Sequence, residues 1–211
     1  LSQFWGNWEE LSGNPDGQVQ RAALLSTAET LASMFRDMSV GLKNLSTNTQ
    51  RELSSVVTEI NSIITALGNL NERIIAAGSV PGDANLMLDE RTKLLNSLSS
   101  LVDINTVADA DGSVKVFLSN GELLVDGTMT RGLVLKPGST DPSVSDLFFV
   151  DRPDEPVTEY ITRGKLGALL EIRDEIIPRY TGMLDTLAQG LAEEVNAVHQ
   201  TGFDRYQNTG I

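Results

Sequence analysis

The sequence predicts an α+β fold that is mainly α: an elongated antiparallel helical bundle with very long helices and a small inserted antiparallel β subdomain. Three observations predict it. No proline falls between Pro15 and Pro81, and apolar side chains recur through that stretch at alternating steps of three and four. From Asp103 to about Thr162 the apolar period changes from 3.6 to 2. From Lys165 to about Gln200 the helical period returns. The domains read in order as 1–102, a helical rod with an N-terminal segment, long helix and second helix, then 103–163, the β insert, then 164–211, the returning long helix.

Residues 1–17 carry Phe4, Trp5, Trp8 and Leu11 before the turn-forming run Gly13, Asn14, Pro15, Asp16, Gly17. That pattern predicts a short helical or irregular segment that packs its aromatics, then a break. The long stripe follows as Leu24, Ala28, Leu31, Phe35, Met38, Leu42, Leu45, Thr49, Leu53, Val56, Ile60, Ile63, Leu67, Leu70 and Ile74. It describes one very long amphipathic helix or two nearly continuous ones, about 90 Å if unbroken from Gln18 to about Ala77. Two successive four-residue steps, Leu45 to Thr49 to Leu53, form a stutter within the polar run Ser46–Gln50, and any bend or break is expected there. Ordering such a helix costs more backbone entropy than its own seam recovers, so other elements must cover the seam. Ala84–Val102 and Lys165–Gln200 supply the two partners. Between the first two helices, Gly78, Ser79, Val80, Pro81, Gly82 and Asp83 give a stop and a start, with Asp83 or Asn85 as N-cap.

In the β insert, Val114, Val116 and Leu118 alternate with Lys115, Phe117 and Ser119, and Asn120-Gly121 turns the chain into Leu123, Leu124 and Val125. Further strands are expected at Ile104–Ala108, Gly132–Lys136, Leu147–Asp151 and Glu159–Thr162. In the last helix Pro178 removes a backbone donor and should kink the chain near Asp174–Ile177. Arg173 occupies a seam position there, which calls for an inter-helix ion pair, with Asp89 or Glu90 as natural partners.

Composition narrows function by exclusion. The net charge of −13 argues against nucleic acid and anionic membrane surfaces as partners. Only 5% of residues are aromatic, which suits thin helical bundles better than a thick core. With no cysteine there is no disulfide framework, no Cys-ligated zinc and no thiol nucleophile. The chain begins at Leu1 without a basic segment leading into an apolar one, so no secretory signal is expected, and a trimmed fragment is the simplest reading.

No catalytic, cofactor-binding or metal-binding residue is expected, and no cofactor. Asp109, Asp111 and Gly112 resemble a calcium loop briefly, but with Gly112 as its turn glycine the first ligand position is Val107 and the bidentate position is Leu118. A turn feeding a strand is the better reading. His199 is the only histidine, so neither a His metal cluster nor a Ser-His-Asp arrangement is available. Glu9 and Glu10, or Glu193 and Glu194, are adjacent on helices and diverge, which makes them poor acid and base pairs.

Several segments together resemble the bacterial flagellar hook-associated protein 1 family. They are Phe4, Trp5, Leu11, Asn14, Pro15 with Arg21 to Phe35; Leu67, Leu70, Asn71, Glu72, Ile74; Asn85, Leu86, Leu88, Asp89, Arg91 to Val102; and the hairpin Asp111 to Gly127. The most specific stretch is Gly164, Leu166, Gly167, Leu169, Leu170, Arg173, Asp174, Pro178, Leu184, Leu187, Ala188, Val195, Asn196, His199, Gly202 and Asp204. The resemblance implies a non-enzymatic structural subunit of the flagellum at the hook–filament junction. It also implies export through the flagellar type III secretion system without a cleaved signal, and an extracellular location. Implied partners are the hook protein, the next hook-associated protein, copies of the same chain in a ring, and an export chaperone held through the family's terminal segments, which this chain lacks. The fragment alone should then be monomeric. The alternatives are a ligand-sensing helical ectodomain and a flagellin-class filament subunit.

Overall fold

The computed structural model describes residues 1–77, 83–138 and 144–202, with only the backbone described at 83 and 84. Helix α1 spans Ser2–Gly13 and α2 spans Gln18–Ala77. Across the 60 residues of α2 the stutter at Ser46–Gln50 produces no break, so the single-helix alternative holds. Ser46, Thr47, Asn48 and Thr49 are weak helix formers, but no proline interrupts the ladder, and Thr47 returns its hydroxyl to the Lys43 carbonyl within it. Helix α3 spans Asp83–Leu101. Asn85 therefore lies inside α3 and is not its N-cap. The Asp83 side chain and the stop signals Gly78 to Gly82 lie outside the described residues.

Among the described residues seven strands follow: β1 Ile104–Ala108, β2 Val114–Leu118, β3 Leu123–Asp126, β4 Met129–Thr130, β5 Leu133–Pro137, β6 Ser145–Phe149 and β7 Arg152–Pro156. They form two antiparallel sheets, β1-β2-β3-β4 and β5-β6-β7, where the sequence suggested one β unit. At the Asn120-Gly121 hairpin Gly121 adopts φ +89°, and the Asn120 Oδ1 accepts from the Glu122 N–H at 3.0 Å. Two strands escaped the sequence reading. Strand β4 is two residues long, and β7 contains Pro153 and Pro156, tolerated because β7 lies at a sheet edge. The strand expected at Glu159–Thr162 is instead a 3₁₀ turn over Thr158–Tyr160. Pairing stops where the Val157 N–H reaches the Leu147 carbonyl and the Thr158 hydroxyl accepts from the Leu147 N–H, after which the chain folds back on itself.

Helix α4 spans Gly164–Glu171, a π-helical turn occupies Ile172–Ile176, and α5 spans Ile177–Thr201. The expected disturbance before Pro178 is that π turn. Pro178 offers no N–H to the carbonyl four residues back, and the backbone widens by one residue there.

By contact the chain forms two compact units, Leu1–Thr47 with Ile176–Ile211, and Asn48–Glu175. The second unit holds the main core. Leu53, Val56, Ile60, Ile64 and Leu67 of α2 meet Leu98 and Leu101 of α3, Val116 and Leu124 of the first sheet, Leu133, Leu147 and Phe149 of the second, and Leu166 and Leu170 of α4. In the first unit α1, the N-terminal part of α2, and α5 leave only Phe4, Leu24 and Ile177 buried among the described apolar side chains. Phe4 stacks edge-on with Trp5 at 5.2 Å and lies 5.9 Å from Trp8, while Trp5 stays 46% exposed, so the N-terminal aromatics pack only in part.

Candidate functional site

The chemistry of the second unit lies in how one helix carries two sheets. Asn71 sits in the α2 seam between Leu70 and Ile74 and is fully buried. Its Oδ1 accepts from the Val114 N–H at 3.1 Å, and its Nδ2 donates to the carbonyls of Val114 and Gly127, each at 2.9 Å. Ten residues earlier, Asn61 accepts from the Leu133 N–H at 2.8 Å and donates to the Leu133 carbonyl at 2.7 Å. Each amide thus imitates a paired backbone, and each holds one sheet: Asn71 the first, Asn61 the second. Between them Gly68 lets the β3–β4 turn approach, since a Cβ there would sit 2.8 Å from the Thr130 methyl and 3.2 Å from the Thr128 carbonyl.

A second device fastens the start of α4 to the end of α3. Gly164 has φ +72°, and a Cβ on it would lie 2.7 Å from the Leu101 carbonyl oxygen. Gly167 abuts Thr162, where a Cβ would come within 2.5 Å of the carbonyl carbon. Only glycine meets both demands at position 164.

Arg173 is buried, but its ion pair is not between helices. Its Nε and Nη2 donate bidentately to Asp174, at 2.7 and 2.8 Å, and Nη1 donates to the Ser145 carbonyl at the start of β6. Glu90 instead pairs with Arg73 at 3.7 Å. The neighbouring carboxylate serves because the guanidinium points to the sheet, not to α3, and the partner that satisfies it is the nearest one in the chain.

The remaining polar residues raised by the sequence occupy ordinary places. Asp111 closes the β1–β2 turn by accepting from the N–H and hydroxyl of Ser113 at 2.9 and 2.7 Å, and these bonds hold its carboxyl below the usual range. Gly112 in that turn has φ +87°. His199 is exposed in the last turn of α5, and Glu9, Glu10, Glu193 and Glu194 are exposed on helices. Glu159, Glu171 and Glu175 border a hollow of about 270 Å³, yet no group of three or more His, Asp or Glu among the described residues is placed to hold a metal ion. No helix among them is long and apolar enough to cross a membrane.

In the first unit the apolar seam is only partly covered: Leu31, Phe35 and Leu42 are half-buried, and Met38 and Leu45 are exposed. Met38, Leu42 and Leu45 of α2 face Tyr180, Met183 and Leu187 of α5 across a groove of about 630 Å³. Met183 is 60% exposed. Gly182 and Gly190 open the neighbouring face of α5, with no atom within 4 Å of an added Cβ.

A family described as the flagellar hook-associated protein FlgK helical domain matches residues 1–211. The chain belongs to that family. Among relatives of this FlgK domain, flagellar hook-associated protein 1 of Salmonella typhimurium is 28% identical over 218 residues, spanning all of this chain and 39% of the relative. The Escherichia coli protein of that name is 27% identical and is likewise spanned over 39%, and the Bacillus subtilis one is 25% identical and spanned over 46%. The solved structure of the flagellar hook junction protein FlgK from Burkholderia pseudomallei aligns with TM-score 0.84 and 28% identity, over 98% of this chain and 38% of that one. The chain thus spans about two fifths of the length of most of these relatives. Asn71, Gly164 and Gly167, which marked the resemblance in sequence, have geometric duties in the structure. Asn61, Gly68 and Glu122 carried no signal on their own. A polar amide inside an apolar seam would have been the clue for Asn71, whose side chain is buried yet fully paired.

Proposed function

We propose that this chain is the helical part of a structural flagellar subunit, a hook-associated junction protein that joins hook to filament outside the cell. The observation that carries it is the match of a FlgK helical domain along all 211 residues. The physical character of the chain supports the reading: Asn71 and Asn61 are spent on fastening sheets to a helix, and many exposed apolar side chains lie along helix faces. We infer a non-enzymatic role, with binding energy in place of chemistry. The partners this reading names are the hook protein, the next hook-associated protein and copies of the same subunit in a ring. A chain free of cysteine suits passage unfolded through a secretion channel, because no disulfide has to be broken or reformed.

The test is a strain lacking the full-length protein. Electron microscopy should show hooks without attached filaments, with attachment restored by the full-length gene carrying this domain. Normal filaments on the deletion strain would overturn the proposal. A ligand-sensing ectodomain would need a few convergent polar groups to orient its ligand, whereas the α2–α5 groove is lined by Met, Leu and Gly with the Tyr180 hydroxyl as its one polar side-chain group.

A further inference from the structure

The two sheets are hung separately on α2, through Asn71 and Asn61, and follow one another along the chain through Arg131 and Gly132, whose backbone bonds each extend one sheet. The Arg131 N–H reaches the Leu124 carbonyl at 2.8 Å, and the Val150 N–H reaches the Gly132 carbonyl at 2.9 Å. Farther out, the turns meet through side chains. Glu122, just after the β2–β3 turn, accepts through one oxygen, Oε2, from Arg131 Nη1 at 3.0 Å and from Arg152 Nη2 at the start of β7. Arg131 also grips Asp151 of the β6–β7 turn bidentately, at 2.9 and 3.1 Å. Both guanidiniums lie against the buried Phe149 ring, 4.1 Å and 5.6 Å from its centroid.

We propose that Glu122 is an acid-sensitive latch that holds the β2–β3 turn of one sheet against the β6–β7 turn of the other. The charged groups facing it are Arg131 and Arg152, and those facing these two in turn are Asp151 and Glu155. Glu122 alone spans both arginines, so it is the one carboxylate whose neutralisation releases Arg152 from the first sheet. Asp151 binds only Arg131, and Glu155 binds Arg152 at the rim from within β7. Both sheets keep their apolar contacts with α2 when the latch opens, so the tips separate while the fold persists. The Arg131 and Arg152 hydrogen bonds hold the Glu122 carboxyl below its usual range, which keeps the latch closed at neutral pH.

The chain has no cysteine, so a reporter pair can be placed without background. Ser119→Cys in the β2–β3 turn and Asp154→Cys in β7 put spin labels on two exposed positions, one on each side of the latch. Pulsed dipolar distances at neutral pH should give one narrow distribution. Glu122→Gln should broaden it severalfold in width, with unchanged far-ultraviolet circular dichroism, while Glu155→Gln leaves it narrow. A Glu122→Gln distribution as narrow as the parent's, or equal broadening by Glu155→Gln, overturns the latch. Should Glu122→Gln fail to fold, acidifying the labelled parent decides: broadening before any loss of helix supports the latch, and a width that stays constant until the helices melt overturns it.

Discussion

Asn71 shows what one side chain can settle. A leucine there would continue the α2 seam in sequence terms, yet the amide answers three backbone groups of the first sheet, the two of Val114 being buried away from water. Asn71→Ala should cost about 2 to 4 kcal/mol, because burial without a partner is charged for each orphaned group. Urea unfolding followed by circular dichroism would read this. Tryptophan fluorescence would not, since Trp5 and Trp8 both lie in α1 of the other unit. Gly164→Ala combines a left-handed backbone with a Cβ aimed at the Leu101 carbonyl, and should destabilise by about 2 to 5 kcal/mol in the same assay. At this scale the sequence marked Asn71, Gly164 and Gly167 as family features but could not say why, since the reason is a neighbour distant along the chain. Arg173 is the reverse case. Its burial was legible from its seam position, while its partner was not, because Asp174 and Glu90 are equally plausible until the guanidinium's direction is known.

At the scale of elements, α2 obeys one periodic rule over its whole length but is covered unequally. Leu67 and Leu45 are both seam leucines, yet Leu67 is 0% exposed and Leu45 is 45% exposed. Leu67→Ala should therefore cost about 2 to 5 kcal/mol and Leu45→Ala about 1 kcal/mol or less, measured by urea titration of each variant. Equal costs would mean that the two halves of the helix share one kind of environment. The π turn before α5 is held from both sides, by Pro178 at the helix start and by the Arg173–Asp174 pair docked on β6. Asp174→Ala leaves the buried guanidinium with the Ser145 carbonyl as its partner and should cost about 2 kcal/mol, visible in thermal melts, with faster amide exchange across Ile172–Ile176. The strands were legible where alternation and turn residues agree, as at Asn120-Gly121. They were not where proline hides an edge strand, as in β7, or where a side-chain bond ends a ladder, as at Thr158.

For the whole molecule, charge sets the response to pH. Glu122, Asp151 and Asp111 all have their carboxyls depressed by hydrogen bonds, from Arg152 and Arg131, from Arg131, and from Ser113 respectively. A depressed folded-state value means stability that is present above the ordinary carboxylate range and lost as pH falls through the folded values. Acidification also relieves the repulsion implied by a net charge of −13, so the two effects oppose each other until the chain nears its pI of about 4.4. The melting temperature should then fall below about pH 4, where protonation of these carboxylates dominates. The Glu122→Gln variant should start lower at neutral pH and fall less steeply. A parent melting temperature that keeps rising down to about pH 3 would contradict this account.

The periodicity of apolar residues and the placement of proline and glycine were written in the sequence itself, because each depends on local backbone geometry. It marked Gln18 to about Ala77 as one long helix or two nearly continuous ones, placed β1 and the central hairpin, and located the disturbance before Pro178. Only the tertiary structure decided which half of the long seam is buried, how the strands divide into two sheets, and which carboxylates answer Arg173, Arg131 and Arg152. Those outcomes turn on which surfaces meet across tens of residues, where a side chain's direction and its neighbour's reach outweigh any rule of spacing.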